Sequence, residues 1–365
     1  MKHESAIARR LVQQCASHPA GRVPAIIIAE AGVNHNGDPR IARKLIDAAK
    51  SAGADVVKFQ TFKTENVVTR RVEMAAYQRL NAGAADTQFE MLKKLELQAD
   101  DFRSLCEYAA SIGIEFMSTP DDQESLDFLT DDLCMAVIKI GSGEVTNLPF
   151  LRRIAAKSKP MIVSTGMSSL GEVERALAVL RSDDRAAVTV LHCTSSYPCD
   201  EGDVNLLAMN TIRDAFKVPV GYSDHTLGIE VALAAVALGA TVIEKHLTLD
   251  KGMTGPDHAA SLDPNEFTQL VAAIRRVEAS IGDGIKRITR SEIATKALVQ
   301  RRIVTSREVR PGEVVGWSDL AFKRAESGIG VEYADLLIGM SFAKNLSEDT
   351  PILWSDVLAV LPHDV

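Results

Sequence analysis

VPVGYSDHTLGIEVALAAVALGATVIEKHLT (218–248) contains one complete strand–helix–strand unit. A β-branched run, VPVGYSDH (218–225), is followed by GIEVALAAVALG, whose apolar residues recur at helical spacing. Gly239 stands where a glycine ends a helix, and a second run, TVIEKHLT (241–248), follows. Both runs start apolar and end polar, the first in Ser223, Asp224 and His225, the second in Glu244, Lys245 and His246. A strand that ends in groups a core would have to satisfy points to a shared site at the strand ends.

The same texture recurs along the chain. AIIIAEAG (25–32), VVKFQTF (56–62), IEFMSTP (114–120), MAVIKIGSG (135–143), MIVSTG (161–166) and VTVLHCTS (188–195) read as strands, mostly followed by helical segments. Eight such units predict an α/β protein, a (β/α)8 TIM barrel over 24–284 behind an N-terminal extension, 1–23. Periodicity alone also fits an open doubly wound sheet. The long segment 63–113 reads as an elaborated loop over the barrel mouth. After a linker at 285–300 the texture changes to short strands and turns, predicting a small β-rich domain over 301–365. Within it VRPGEVVGWSDL (309–320) aligns without gaps to LSEDTPILWSDV (346–357), a weak internal repeat.

Composition narrows the class. A net charge of -8 on 365 residues argues against a nucleic-acid or anionic-membrane partner. The five cysteines, Cys15, Cys106, Cys134, Cys193 and Cys199, lack CxxC spacing, so a disulfide framework is not expected and a reducing cytoplasm is. The first 22 residues lack the continuous apolar core of a secretory signal, and no run has the length to span a bilayer.

In a barrel the C-terminal ends of all strands face one mouth. The groups collected there include Glu30, Lys58, Gln60, Thr119, Lys139, Ser142, Glu144, Ser164, Ser195, Ser223, His225 and His246. His225 and His246 close adjacent strands about 4.8 Å apart, which suits one divalent ion with open positions. Nitrogen and oxygen ligands suit manganese, magnesium or cobalt better than a closed zinc site. Lys58, Lys139, Ser142, Ser164 and the glycines of GSGE (141–144) suit a phosphate cradle. Glu144 and Glu30 are carboxylates for proton transfer or for stabilising positive charge, and pairing with the lysines is equally open to them. Cys193 and Cys199 read as bystanders, and His192, Asp224 and His258 as residues that orient others.

These segments resemble the sialic acid synthase family, the phosphoenolpyruvate-dependent N-acetylneuraminate synthases. The resemblance runs in order through IIIAEAGVNHNGD (26–38), VVKFQTFK (56–63), QFEMLKKLEL (88–97), IKIGSGEVTNLPFL (138–151), IVSTGM (162–167), VLHCTSSYP (190–198), VGYSDHTLG (220–228) and VIEKHLTLDKGMTGPDHAASL (242–262), to KR (323–324). The tail looks like the family's antifreeze-like (SAF) domain. What the resemblance implies is condensation of phosphoenolpyruvate with N-acetylmannosamine and water to give N-acetylneuraminate and phosphate. It implies His225 and His246 as holders of a metal, Lys139, Ser142 and Ser164 as phosphoenolpyruvate contacts with Lys58 nearby, and Glu144 as stabiliser of an oxocarbenium-like C2. Glu30, Asp257 and Tyr197 become substrate-side contacts, and Arg324 reaches the N-acetyl group of an amino sugar in the partner's barrel, which implies a domain-swapped homodimer.

Three departures bear on the sugar. Asp121 follows STP where many members have Phe, Ser195 or Ser196 replaces a phosphate-contacting asparagine, and KRAESGI stands for KRPGNGI. An N,N'-diacetyllegionaminate synthase, with a 2,4-diacetamido-2,4,6-trideoxymannose acceptor, is the alternative. A metal-dependent aldolase or hydrolase, and a carbohydrate- or ice-binding tail on a supporting barrel, are readings outside the family.

Overall fold

The computed structural model describes residues 5–16, 23–81, 87–182 and 187–359. The chain divides into two compact units, Met1–Gly282 and Asp283–Val365. No helix among the described residues is long and apolar enough to cross a membrane.

The first unit is built on eight parallel strands: β1 (Ile26–Gly32), β2 (Val56–Thr61), β3 (Glu115–Pro120), β4 (Ile138–Ile140), β5 (Met161–Ser164), β6 (Val188–Cys193), β7 (Val220–Asp224) and β8 (Val242–His246). Their order is β3-β2-β1-β8-β7-β6-β5-β4. Because the first strand pairs with both the second and the eighth, the sheet curls on itself. β3 and β4 face each other across the seam without a ladder, so the barrel is nearly closed. The (β/α)8 expectation is met and the open sheet is excluded.

Period two along the strands separates two layers. Ile26, Ile28, Val56, Ile162, Leu191 and Val242 fill the barrel interior. Their strand neighbours Ile27, Val57, Val163, Val190 and Ile243 join the outer core shared with the helices. The interior layer has no spare room at β7, where a Cβ on Gly221 would come within 2.6 Å of Leu191 Cδ2 and 2.9 Å of Val242 Cβ. Continuing the same parity puts Glu30, Lys58, Lys139, Ser164, Cys193, Ser223 and Glu244 inward at the C-terminal end, one layer above the apolar fill.

Helix α1 (Ala6–Ala16), part of the N-terminal extension, joins the interior layer at the other end: buried Ile7 and Leu11 belong to the cluster of Ile26, Val56 and Val242. Arg10 Nη1 pairs with Asp55 Oδ1 at 2.8 Å. Helix α2 (Pro39–Ala52) is framed by Asp38, whose side chain accepts from Arg40 N, by Pro39 in its first turn, and by Gly53 at φ 83°. Segment 63–113 differs from the expected loop. Its last part, Ala99–Ile112, is the crossover helix into β3. Earlier in it, Met74, Met91 and Leu95 pack with Val33 and Phe62 beside the mouth.

The second unit pairs β9 (Arg301–Thr305) with β10 (Leu320–Arg324) and β11 (Ser341–Phe342) with β12 (Val357–Leu358), all antiparallel. The internal repeat is structural. Trp317–Asp319 and Trp354–Asp356 are each one 3-10 turn leading into a strand. In both, the aspartate accepts a backbone N–H three residues earlier, Gly316 N at 2.9 Å and Leu353 N at 3.1 Å.

Candidate active site

The inward polar layer is one connected cluster. In register, Glu30 lies opposite Lys58 on β2 and opposite His246 on β8. Lys58 Nζ is 2.5 Å from Glu30 Oε2 and donates to Thr119 Oγ1 at 3.1 Å. Gln60 Nε2 donates to Glu30 Oε1 at 3.3 Å. Glu244 joins the two lysines, with Oε2 3.7 Å from Lys58 Nζ and Oε1 3.5 Å from Lys139 Nζ. Ser223 Oγ donates to Glu244 Oε1 at 3.1 Å, and Lys139 Nζ donates to Ser164 Oγ at 2.8 Å.

Two buried ammonium groups beside two buried carboxylates set the electrostatics. Burial pushes Glu30 up to about 7; Lys58 opposes this and the Glu244 charge adds to it. Burial also raises Glu244, but Lys139 and Lys58 outweigh it and hold that carboxylate below its ordinary value. Glu244 is therefore the fixed anion of the pair and Glu30 the one that titrates near neutrality. Burial drives Lys139 below the usual ammonium value, with Glu244 opposing.

Beyond β4 the chain makes a single 3-10 turn, Ser142–Glu144. Ser142 Oγ accepts from Gly166 N at 2.9 Å and lies 3.8 Å from Cys193 Sγ. Gly166 has no space for a side chain, since a Cβ there would collide with Ser195 Oγ and reach 3.0 Å from Ser142 Oγ. Next to these residues a cleft of about 610 Å³, lined by Thr165, Cys193, Thr194 and Ser195, opens between the helices Leu170–Leu180 and Leu207–Phe216. Glu144 stands at the rim, partly exposed, and accepts from Asn147 Nδ2 at 2.6 Å. Burial and the Glu144 charge lift nearby Asp121 to about 7.

His225 and His246 come together as expected, their ring centroids 5.4 Å apart, and Tyr197 lies tilted over the first at 4.1 Å and edge-on to the second at 5.6 Å. His225 Nδ1 donates to Thr194 O at 2.7 Å, which leaves Nε2 a lone pair. His246 Nδ1 is buried without a hydrogen bond, 3.9 Å from Asp257 Oδ2. Burial above all holds His246 well below the ordinary histidine value and so neutral, the form that ligates metals. Burial raises Asp257 to about 6. Among the described residues no group of three or more His, Cys, Asp or Glu is set to hold a cation. Two facing imidazoles, one with an orphan nitrogen, fit an ion whose remaining positions go to water or substrate.

Arg324 is the exposed last residue of β10 in the second unit. Glu244, expected only as part of the polar end of its strand and given no role there, is the residue that joins the two lysines. Glu244 shares the inward parity of His246, a spacing of two that marks it as facing the mouth but not which charges it meets there. Cys193, expected as a bystander, is buried 3.8 Å from His225 Nδ1. His192 and Asp224 point outward, His192 Nε2 to Val204 O at 2.6 Å and Asp224 to Lys245. His258 ties two mouth loops together through Thr248 at 2.6 Å and Asn36 at 3.2 Å.

Residues 45–286 match the NeuB family, and residues 300–358 match the SAF domain. The chain is 48% identical to N,N'-diacetyllegionaminic acid synthase of Legionella pneumophila, over 91% of this chain and 94% of that protein. It is 47% identical to the protein of that name from Campylobacter jejuni, over 89% and 97%. Among solved structures, the N-acetylneuraminic acid synthetase of Leptospira borgpetersenii, in complex with citrate, superposes with a TM-score of 0.66 at 33% identity, over 76% of this chain and 93% of that one. The chain belongs to the NeuB family, the sialic-acid-type synthases, and carries a SAF domain C-terminal to its barrel in sequence.

Proposed function

We propose that this enzyme is an N,N'-diacetyllegionaminate synthase, which condenses phosphoenolpyruvate with 2,4-diacetamido-2,4,6-trideoxymannose and water. The observation that carries the chemistry is the meeting of Lys58 and Lys139 on Glu244, 3.7 and 3.5 Å away, in the same mouth as the facing imidazoles. The choice of acceptor rests on the two relatives named for that product, at 48 and 47% identity. They favour this reading over the N-acetylmannosamine acceptor first expected. Asp121 in place of an aromatic residue makes that wall polar, in keeping with a second acetamido group.

In this reading Lys139, Ser164 and Ser142 take the phosphate, and Lys58 with Thr119 the carboxylate, of phosphoenolpyruvate. Gln60, Ser195, Ser223, Tyr197 and Asp257 line the space left for the sugar. C3 of the enol attacks the open-chain aldehyde, whose oxygen takes up a proton, and cationic character develops at C2. Glu144 and Glu30 supply the negative charge that faces it. Water adds at C2 and releases one proton, then the C2–O bond to phosphate breaks as the new hydroxyl gives its proton to the departing phosphate, leaving the ketone. A divalent ion on His225 and His246, manganese for preference, would supply Lewis acidity at the aldehyde oxygen. Arg324 is assigned to the N-acetyl group of sugar bound in a partner subunit, which makes the enzyme a domain-swapped homodimer.

Incubation with phosphoenolpyruvate, Mn2+ and either 2,4-diacetamido-2,4,6-trideoxymannose or N-acetylmannosamine tests this. Phosphate release and a product mass matching the diacetamido acid, with kcat/KM higher than for N-acetylmannosamine, are expected. Preference for N-acetylmannosamine would restore N-acetylneuraminate as the product. Phosphate release no greater than in the sugar-free control with either would end both readings.

A further inference from the structure

Behind the two histidines, on the helix side of the barrel wall, lies an ion pair with no contact to solvent. Asp224 and Lys245 face each other in register on β7 and β8. Lys245 Nζ is 2.7 Å from Asp224 Oδ2, and both side chains are 0% exposed. Each member is the chain neighbour of an imidazole, Asp224 of His225 and Lys245 of His246. Strand parity sends the pair outward and the imidazoles inward, so the pair cannot touch anything bound in the mouth.

Its hydrogen bonds converge on the residue after His225. Asp224 Oδ1 accepts from Thr226 N at 2.9 Å and from Thr226 Oγ1 at 2.8 Å. Lys245 Nζ donates to Thr226 O at 2.5 Å. Three atoms of Thr226 are thereby held by a carboxylate and an ammonium group anchored on two strands. His225 sits between residues 224 and 226, past the last residue of β7 paired with β8, where the backbone is held on its other side by Cys199, whose N–H donates to His225 O at 2.8 Å and which bridges to Thr226. On the β8 side the ion pair takes over from the ladder at that point.

We propose that Asp224 and Lys245 are positioning residues that fix the His225 ring against the His246 ring, and so set the affinity of the two-histidine site for a divalent cation. This rests on the metal-binding role assigned above to the histidines. A buried pair that served only stability would affect all parts of the barrel mouth alike. This pair acts on one wall, since its contacts are confined to β7, β8 and Thr226, whereas Lys139, Ser142 and Ser164 belong to β4, β5 and the turn between them.

The test compares wild type, His225→Ala and the double variant Asp224→Asn/Lys245→Met, which leaves no buried charge unpaired. Lys245→Met alone serves as a second variant. Mn2+ affinity is measured by titration calorimetry without substrates, and phosphoenolpyruvate affinity likewise without metal. The expected result is a Kd for Mn2+ raised about 10- to 100-fold in the double variant, with phosphoenolpyruvate affinity unchanged. Unaltered Mn2+ affinity in the double variant, with loss in His225→Ala, overturns the positioning role alone. Equal weakening of both ligands also overturns it, as a general loss of structure. A wild type that takes up no Mn2+ overturns the metal site and the positioning role together, leaving the phosphoenolpyruvate assignment to its own measurement.

Discussion

Lys139 Nζ lies 3.5 Å from Glu244 Oε1, joining β4 to β8 across the interior of the barrel. Three strands separate the two in the sheet order, so only a side chain crossing the lumen brings them together. Burial pulls the Lys139 ammonium below its ordinary value, and the Glu244 carboxylate opposes that pull.

Glu244→Gln removes that support. Lys139 then loses its proton at lower pH, because the charge that opposed the effect of burial is gone. The alkaline limb of the kcat/KM profile for phosphoenolpyruvate should move to lower pH. Activity at neutral pH should fall by about tenfold or more, as when one partner of a buried charge pair is lost. An alkaline limb at its wild-type position would contradict the contact's role.

Gly166→Ala should spoil the phosphate end of the site and spare the fold. The new Cβ meets Ser195 Oγ and comes 3.0 Å from Ser142 Oγ, so both hydroxyls must shift. The KM for phosphoenolpyruvate should rise about 10- to 100-fold, while the urea midpoint stays near wild type. An unchanged KM would place phosphate elsewhere.

Leu11→Ala tests the N-terminal helix as part of the barrel core. Leu11 is fully buried against the interior layer. The loss should be about 2–5 kcal/mol in urea unfolding, as for other buried Leu→Ala changes. A loss below about 0.5 kcal/mol, the level of surface substitutions, would detach the helix from the core.

Asp257→Asn should alter how stability depends on pH. Burial lifts Asp257 from the ordinary 3.8 to about 6. Between those values the folded chain retains a proton that the unfolded chain has released. Its contribution therefore falls as pH rises through that window, by about 3 kcal/mol in all, and is level above it. The variant lacks this fall, so its unfolding free energy relative to wild type should climb from pH 4 to pH 6. Parallel curves would show that Asp257 is not held protonated.

Much of the barrel was readable because its cause is local. Alternation in VVKFQTF and TVIEKHLT marks which residues share a face, and a helix after most strands leaves few ways to connect them in parallel. The histidine pair was readable for the same reason, since His225 and His246 end consecutive strands. Glu244 was not, because its importance comes from Lys58 on β2 and Lys139 on β4, and no spacing along the chain encodes a distance across a barrel. The crossover helix Ala99–Ile112 was absorbed into a long loop because a large insertion precedes it.

Taken alone, the order of residues determined the parity of each strand, the polar character of the strand ends and the family to which the chain belongs. Folding decided which of those ends meet. Pairing of β1 with β2 on one side and β8 on the other puts Glu30 opposite both Lys58 and His246, and curvature brings Lys139 within reach of Glu244. The reason is physical: side-chain direction follows from backbone periodicity within a few residues, whereas the balance of charge in a buried cluster depends on every strand that contributes to it.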